Sequence, residues 1–278
     1  MLNNITKITL VVLIMILFIV KLILSTNINH PIIKHDITYN DNPSNISICT
    51  YNIKSLPNMT KSYESLSKIL SQYNMVLLQE AFNSITDIGN RDRLVKNLYN
   101  EGFLYVISVP EPNFFSMKFA NGGLLIVSKY KIEYVKFIPF IISAYSDSLS
   151  DKGILVGRVK GIYIINTHLQ AIYDKRTEDI VWNQLSILSS YIKTLPNDAK
   201  VIFGGDFNIN LLNIHNRAKF TNLFTSFSID GNVETTFEES GEKLDCLMSR
   251  GVNGSNYKIN KFNNYSDHYG LSGVFQLM

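Results

Sequence analysis

Short β-type runs that recur from about Ser47 onward constrain the fold of this chain more than any other feature. They read SICTYNI, MVLLQE, FLYVISV, GLLIVSK, GILVGRV, GIYIINTHL, AKVIFGGDF, KLDCLMS and GLSGVFQL. Helical patterns lie between some of them, at residues 63–73, 87–99, 175–194 and roughly 214–226. Because strands and helices alternate without a repeat, a linker or a low-complexity break, the pattern predicts one α/β domain over residues 45–278.

The composition supports a packed domain and gives no reason to expect a nucleic-acid partner. Hydrophobic residues make up 46% and charged residues 18% of the sequence, which excludes an intrinsically disordered chain. The net charge of +3 is modest, whereas nucleic-acid binding usually needs a face rich in Lys and Arg. This charge is compatible with weak attraction to an anionic membrane surface. The two cysteines, Cys49 and Cys246, exclude a disulfide-dense scaffold; whether they pair stays open, and two buried free thiols are favoured.

Residues 1–25 form a hydrophobic segment unlike the rest of the chain. Residues 8–24 are almost entirely apolar, and Lys7 supplies a positive flank. The run is slightly short for the roughly 20 residues of a comfortable membrane span. Since no A-x-A-like cleavage site follows, an uncleaved membrane anchor is favoured over a cleaved signal, which would make the protein secreted. Residues 26–44, rich in Asn, Asp and Pro, are predicted to be a linker.

Polar side chains recur where the hydrophobic runs end, or just before the last of them begins. They are Asn52, Glu80, His168, Asp206, Asn208, Asp267 and His268. Any one of them alone is an ordinary turn former or a satisfied histidine. Strands of one domain that deliver all of them to their ends would gather oxygen ligands and imidazoles in one cleft.

Five motifs occur in an order that resembles a known superfamily. TYNI, LQEAF, NTHLQA, GGDFNI and YSDHYGL are similar to the motif series of the endonuclease/exonuclease/phosphatase superfamily. The resemblance covers nearly all of residues 45–278. It implies a DNase I-like fold, a four-layered α/β/β/α sandwich in which helices cover two packed sheets.

Within that superfamily the sequence most resembles the membrane-associated neutral sphingomyelinases. NTHLQA and NGGLLIVSKYKI resemble their segments, and DSLSDKG resembles their Asp-Ser-x-x-x-Lys-Gly segment. In that family the Asp and the Lys act as a switch, and the Lys reaches toward the substrate phosphate. Carried over, the switch pair is Asp147 and Lys152. The alternative is that DSLSDKG is an ordinary solvated loop.

The resemblance implies a divalent cation that offsets the negative charge of a phosphodiester. Glu80 is the first candidate ligand, Asn52 would complete the shell with its amide oxygen, and Asp267 is a further candidate. Oxygen donors without thiolates favour Mg²⁺, with Mn²⁺ possible.

The resemblance also implies a general base and a group that holds the phosphate. His268 would take the proton of the attacking water, and Asp245 would orient it, although Cys246 stands where an aromatic residue is usual. Asp206 and Asn208 would position the water and contact the phosphate, and His168 would donate to a phosphoryl oxygen. Gly204 and Gly205 are expected to let the chain turn close to the substrate.

The implied reaction is hydrolysis of sphingomyelin to ceramide and phosphocholine by a metal-dependent, phospholipase C-type phosphodiesterase. A Mg²⁺-dependent nuclease or an inositol-phosphate phosphatase is the alternative on the same fold, and a membrane-tethered binding protein without activity is a third. The scattered basic residues make nucleic acid the less favoured substrate. Residues 137–145, FIPFIISAY, are favoured as a buried strand, with a bilayer-dipping or acyl-binding segment as the alternative. The sequence leaves the oligomeric state open.

Overall fold

The computed structural model describes residues 43–55, 63–82, 90–112, 118, 120–231, 234–262 and 265–277, with Val12, Met15, Ile16 and Ile19 in a helical conformation. The helices of the described domain are α1 (Tyr63–Leu70), α2 (Asn90–Asn100), α3 (Lys175–Lys193) and α4 (Ile214–Leu223). The strands are β1 (Asn45–Asn52), β2 (Met75–Gln79), β3 (Tyr105–Ser108), β4 (Ala120–Asn121), β5 (Leu125–Ser128), β6 (Ile132–Pro139), β7 (Ser150–Asp151), β8 (Gly153–Val159), β9 (Ile162–His168), β10 (Val201–Asp206), β11 (Ser228–Ile229), β12 (Asp245–Arg250), β13 (Asn253–Asn260) and β14 (Gly270–Gln276).

The strands form two six-stranded sheets. The first has the order β13-β14-β1-β2-β5-β3, and the second has the order β11-β12-β10-β9-β8-β6. In each sheet one central pair is parallel, β1 with β2 and β9 with β10. Polar residues at the carboxyl ends of a parallel pair therefore share one edge of their sheet. A small third sheet joins β4 to β7.

Alternating side chains along the central strands explain why the two sheets pack face to face. In β1, Ile46 and Ile48 point into the core between the sheets, whereas Cys49 and Tyr51 point to the outer face. In β10, Ile202 faces the same core and Phe203 faces outward. Strands that are apolar on both faces need cover on both sides, which helices supply.

The helices cover the outer faces of the sheets. Leu66 of α1 and Leu94 of α2 pack in the outer cluster of the first sheet, and Val181 of α3 and Phe220 of α4 pack in that of the second. The molecule is therefore the predicted DNase I-like α/β/β/α sandwich. The four predicted helices are present with shorter bounds; for example, α1 ends at Leu70 and not at residue 73.

Five strands lack the pattern that would have predicted them. β6 is an edge strand with an exposed middle, β13 is mostly polar, and β4, β7 and β11 have two residues each. The prediction of a buried strand over residues 137–145 is wrong: residues 137–139 are in a strand but are half-buried or exposed, and the residues after them are not in a strand. The strand ends at Pro139, Phe140 is buried, and Ile141 is 89% exposed.

The predicted hydrophobic segment and most of the predicted linker lie outside the described residues. Among the residues that are described, no helix has the length and apolarity needed to cross a bilayer. Cys49 and Cys246 are both buried and free, as favoured above.

Candidate active site

Strand alternation and register bring four of the predicted site residues to one end of the cleft between the sheets. Asn52, His168 and Asp206 are the last residues of β1, β9 and β10, and Asp245 is the first residue of the antiparallel strand β12. Each has the same parity as the residues of its strand that face the core between the sheets. Asp206 lies directly opposite His168 on one side and Asp245 on the other.

Below this group, a buried bridge joins the two sheets. Gln79 of β2 donates its amide to Asn166 of β9 over 2.7 Å. Asn166 in turn donates to the carbonyl oxygens of Leu78 and Leu125, each over 2.8 Å. A hydrogen-bonded pair of buried amides fixes how the sheets sit on each other, because any sliding would leave these polar groups unpaired.

Glu80 follows β2 in a strained backbone conformation. Its φ is 55°, in the left-handed region that non-glycine residues seldom occupy. Gly123 supports this turn, since its carbonyl oxygen accepts from the N–H of Ala81 over 2.9 Å. A Cβ on Gly123 would lie 2.9 Å from the Cα of Glu80, so only glycine fits there without displacement. Asn121 holds Gly123 in turn, because its side-chain oxygen accepts from the Gly123 N–H over 3.0 Å.

Asn52 bridges two carboxylates. Its Nδ2 donates to Oε1 of Glu80 and to Oδ2 of Asp206, both over 3.0 Å. Its oxygen, predicted to complete a metal shell beside Glu80, accepts from the backbone N–H of Lys54 over 3.0 Å, and its role as a metal ligand stays a prediction. Asn52 thus orients Glu80 and Asp206 with its nitrogen.

Glu80 and Asp206 fit a hard divalent cation. Burial raises the pKa of Glu80 above its ordinary value, and Asp206 adds to that shift. Burial, together with the charge of Asp245, raises the pKa of Asp206 as well, although His268 and Asn52 act in the other direction. Buried Asp206 and half-buried Glu80 share one amide donor, and their carboxylate oxygens suit Mg²⁺.

His268 and Asp245 form a hydrogen-bonded pair. Nδ1 of His268 donates to Oδ2 of Asp245 over 2.8 Å, which leaves Nε2 at 3.6 Å from Oδ2 of Asp206. Burial lowers the pKa of His268, but the charges of Asp245 and Asp206 outweigh it and raise the pKa to about 10. One possible ligand atom from each of Asp206, Asp245 and His268 lies within 4.8 Å of the other two, a spacing that could also hold a metal. The Asp245–His268 hydrogen bond occupies Nδ1 of His268 and Oδ2 of Asp245, an arrangement that suits proton transfer at Nε2.

His168, Lys152 and Asp147 form a second group beside Glu80. The ammonium of Lys152 donates to Nε2 of His168 over 3.1 Å and to the carbonyl oxygen of Leu169 over 2.8 Å, and it lies 2.9 Å from Oδ2 of Asp147. Nε2 of His168 is 3.6 Å from Asp206 and 3.9 Å from Glu80. Burial, and then Lys152, hold the pKa of His168 well below its ordinary value.

These contacts correct the alternative reading of DSLSDKG. Lys152 is 4% exposed and has three polar partners, so the segment is not an ordinary solvated loop. They also bear on the expected role of His168. Since Nε2 accepts from Lys152 here, His168 could donate to a phosphoryl oxygen only after Lys152 moves away and the proton shifts between the ring nitrogens.

Asn208 lies beside this group and contacts Leu169 and Asp206. Asn208, with a φ of 51°, donates its side-chain amide to the carbonyl oxygen of Leu169 over 2.9 Å, and its backbone N–H donates to Oδ1 of Asp206 over 2.9 Å. Gly204 and Gly205 lie inside β10, not in a turn beside the substrate as expected. A Cβ on Gly205 would lie 1.9 Å from the carbonyl oxygen of Thr167, so this glycine permits close approach of β9.

The structure does not bring Asp267 into contact with Glu80. Its carboxylate binds the ammonium of Lys54 over 2.5 Å and accepts from Ser266 over 3.2 Å. The Lys54 hydrogen bond contributes to a lowered pKa for Asp267, against the effect of burial. Its role as a metal ligand stays a prediction, and this ion pair weighs against it.

Three supporting residues could not be identified from the sequence. Oγ1 of Thr236 accepts from the N–H groups of Leu244 and Asp245, each over 2.9 Å. The ring of Phe237 lies 4.9 Å from that of His268, and Oγ of Ser266 accepts from the His268 N–H over 3.2 Å. Thr236 and Phe237 belong to no strand or helix, so no periodic pattern marked them.

Comparison with known proteins gives the relatives of this site. A sphingomyelinase of Dictyostelium discoideum is 28% identical over 195 residues, which is 56% of this chain and 42% of that protein. A sphingomyelinase C of Bacillus cereus is 29% identical over 211 residues, which is 65% of this chain and 62% of that protein. The chain therefore spans less than two thirds of the length of these curated relatives.

Solved structures share the fold. The crystal structure of SmcL has a TM-score of 0.67 at 22% identity and covers 84% of this chain and 100% of that chain. A beta toxin variant of Staphylococcus aureus with bound magnesium ions has a TM-score of 0.65 at 19% identity and covers 84% of this chain and 100% of that chain. At these identities the likeness shows the fold alone.

A family model described as the endonuclease/exonuclease/phosphatase family matches residues 49–241. The match runs from the second half of β1 to beyond β10, and it includes the strand ends that carry Asn52, Glu80, His168 and Asp206. The resemblance read from the sequence motifs is confirmed, and the chain belongs to the endonuclease/exonuclease/phosphatase family.

Proposed function

We propose that this chain is a metal-dependent phosphodiesterase that hydrolyses sphingomyelin to ceramide and phosphocholine. The observation that carries the proposal is the convergence of Glu80, Asp206 and the Asp245–His268 pair at one end of the cleft. This set joins an oxygen-rich cation site to an oriented imidazole, the combination that attack of water on an anionic diester requires.

In this proposal His268 accepts the proton of the attacking water on Nε2. Asp245 holds the ring through Nδ1 and stabilises the imidazolium that forms. Asp206, whose Oδ2 lies 3.6 Å from Nε2, would orient the attacking water beside the imidazole. Asn208 donates to a phosphoryl oxygen, and Lys152, released from His168, pairs with another.

Glu80 and Asp206 would hold the cation, and Asn52 would keep both carboxylates in place. When bound there, Mg²⁺ would neutralise charge on the phosphoryl oxygens and the leaving alkoxide and reduce the negative charge that raises the pKa of His268.

A lipid diester is supported as the substrate by the sphingomyelinases among the relatives and by the location of the basic residues. Lys129 follows β5, which runs antiparallel to β2, and Arg158 is the penultimate residue of β8, which runs antiparallel to β9. Both therefore lie toward the sheet edge opposite Glu80 and His168. A nucleic-acid backbone bound at the catalytic edge would therefore not contact Lys129 or Arg158.

The test is an assay of the full chain with Mg²⁺ against sphingomyelin, phosphatidylcholine, phosphoinositides and DNA in parallel. We expect phosphocholine release from sphingomyelin, lost with EDTA and reduced by at least about 100-fold in Glu80→Ala and His268→Ala. Glu64→Ala and His215→Ala are matched controls, because Glu64 and His215 are exposed residues on α1 and α4.

Full turnover in both Glu80→Ala and His268→Ala would reject the assignment of the active site. Cleavage of DNA or of soluble phosphoinositols, without cleavage of choline lipids, would assign the chain to the alternative substrates instead. No turnover on any phosphoester would favour a binding protein.

A further inference from the structure

Six large hydrophobic residues are exposed in the two loops next to the active site. One is Leu149; the other five, which we call the apolar rim, are Ile141, Ile142, Tyr145, Ile172 and Tyr173. Ile141 is 89% exposed and Tyr173 is 64% exposed. Contiguous exposed apolar surface on a soluble domain usually marks a contact with another molecule or a membrane.

The backbone of the first loop is fixed, so the exposure of its side chains is built into the fold. The N–H of Phe140, whose ring is buried, donates to the carbonyl oxygen of Lys152 over 2.9 Å. The carbonyl oxygen of Ile142 accepts from Gln184 over 2.9 Å, and the N–H of Ala144 donates to Gln170 over 2.7 Å. Both glutamines are fully buried, and their anchoring directs Ile141 and Ile142 outward.

The second loop is joined to the first, and both are continuous with the site. The rings of Tyr145 and Tyr173 lie 5.8 Å apart in an edge-to-face arrangement. The hydroxyl of Tyr145 donates to Asp174 over 2.5 Å. Two residues beyond Tyr145, Asp147 accepts from the N–H of Ala171 over 2.8 Å and pairs with Lys152. The apolar rim therefore borders the entrance to the group formed by His168, Lys152 and Asp147.

We propose that the apolar rim docks the protein on a phospholipid bilayer, with Ile141 and Ile142 among the acyl chains and the two tyrosines at headgroup level. The inference rests on the lipid substrate proposed above, and it adds the surface that meets the membrane. Exposed aliphatic side chains next to tyrosines, which have an apolar ring and a polar hydroxyl, match the composition favoured at a membrane interface.

A bilayer fits this surface better than a second copy of the chain. A dimer closed over the apolar rim would cover the entrance to the site and shut the substrate out. A membrane in the same position instead supplies the substrate, since its phosphodiesters lie at the level of the tyrosine hydroxyls and directly above the site.

The direct test is a fluorescent label on the full chain. Cys49 and Cys246 are buried, so an environment-sensitive dye can be directed to Ile142→Cys, with Val135→Cys as the matched control. Val135 is an exposed apolar residue of β6, outside both loops. On phosphatidylcholine–sphingomyelin vesicles with EDTA, we expect a blue shift and quenching by spin-labelled lipid at position 142, and neither at position 135.

A second measurement separates docking from chemistry. Ile141→Ser/Ile142→Ser should lower hydrolysis of vesicle sphingomyelin by about tenfold or more, since each buried isoleucine contributes substantially to transfer from water. The same variant should cleave a short-chain sphingomyelin below its micelle concentration as the wild type does, and Val135→Ser should match the wild type on both substrates.

An unshifted label at position 142 would overturn the docking proposal, whatever the hydrolysis assay gives. A dimer in solution that Ile141→Ser/Ile142→Ser dissociates would also overturn it and assign the apolar rim to a second copy. If the wild type failed to cleave even the short-chain substrate, the proposed function would fall, while the label would still decide whether the surface meets a bilayer.

Discussion

His268 shows how strongly its buried neighbours determine the charge of one residue. Asp245 binds one ring nitrogen and Asp206 lies near the other, so the carboxylates stabilise the imidazolium more than burial destabilises it. Without a cation, the folded protein therefore binds a proton on His268 more tightly than the unfolded chain does, and stability depends on pH.

We expect the stabilising effect of His268 in the metal-free protein to be complete below pH 6.5 and to decline as the pH rises toward about 10. A group whose pKa is higher in the folded state stabilises the fold only while that state holds the extra proton. Urea unfolding of the wild type and of His268→Gln, with EDTA in non-ionic detergent, measures the effect. The difference in free energy of unfolding should be several kcal/mol near pH 6.5 and should shrink toward pH 10.

His215→Gln is the control for this series. His215 is exposed on α4, so the variant should follow the wild type at every pH. A difference between the wild type and His268→Gln that is flat, or that grows with pH, would contradict the assignment of His268 as the imidazolium held by the two carboxylates.

At the level of single residues, the sequence predicted which side chains would gather but not how they would bind each other. Asn52 follows an apolar run, and that position alone marked it as a candidate. The direction of its amide depends on Lys54, Glu80 and Asp206, the last of which lies 154 residues away. Such a hydrogen-bond network has no local signature. Lys152 is similar, because its burial comes from packing between loops that are distant in sequence.

At the level of elements, the turn after β2 depends on a glycine from the segment before β5. Gly123→Ala would place a methyl group 2.9 Å from the Cα of Glu80, at a φ of 64°. We expect a loss of stability of about 1–3 kcal/mol and a larger loss of Mg²⁺ affinity and turnover, because the methyl group displaces Glu80. Thermal unfolding and Mg²⁺ titration of the activity measure the two effects.

Gly102→Ala is the matched control. Gly102 also has a positive φ, 90°, but a Cβ there would have no heavy atom within 4 Å. It should therefore show only the conformational cost of about 1 kcal/mol, with unchanged Mg²⁺ dependence. Equal metal dependence in both variants would mean that Gly123 does not support Glu80.

The elements that could be predicted are those buried on both faces. β1, β2, β9 and β10 are nearly continuous apolar runs with a polar end, and each was recognised. β6 and β13 lie at sheet edges, where one side meets solvent and the sequence loses its hydrophobic pattern. β6 ends at Pro139, and Ile141 and Ile142 after it are exposed. The apolar sequence of residues 137–145 does not show this change, so it predicts one buried strand.

At the level of the whole molecule, the candidate site is shared between two sheets. Asn52 and Glu80 belong to the first sheet, and His168, Asp206 and Asp245 belong to the second. A cation held by Glu80 and Asp206 would link the sheets in the folded state only, and a ligand that binds only the folded state stabilises it.

We expect saturating Mg²⁺ to raise the thermal unfolding midpoint by roughly 5 °C relative to EDTA, from about 2–3 kcal/mol of linkage. Differential scanning calorimetry measures this without any need for turnover. Glu80→Gln should abolish the increase, and Glu64→Gln should retain it. An increase that survives in Glu80→Gln would locate the cation elsewhere.

The direction of β1 determines where the predicted linker would join the domain. Asn45 pairs with Gln276 at one end of the strand and Asn52 reaches the catalytic end, so the chain enters at the back of the molecule, about 25 Å from the site. Residues 26–44, if extended as a linker, could reach roughly 60 Å. If residues 1–25 hold the protein at a membrane, as the sequence predicts, such a linker would limit the distance of the domain from the bilayer but not its orientation, which would then depend on contacts at the catalytic end.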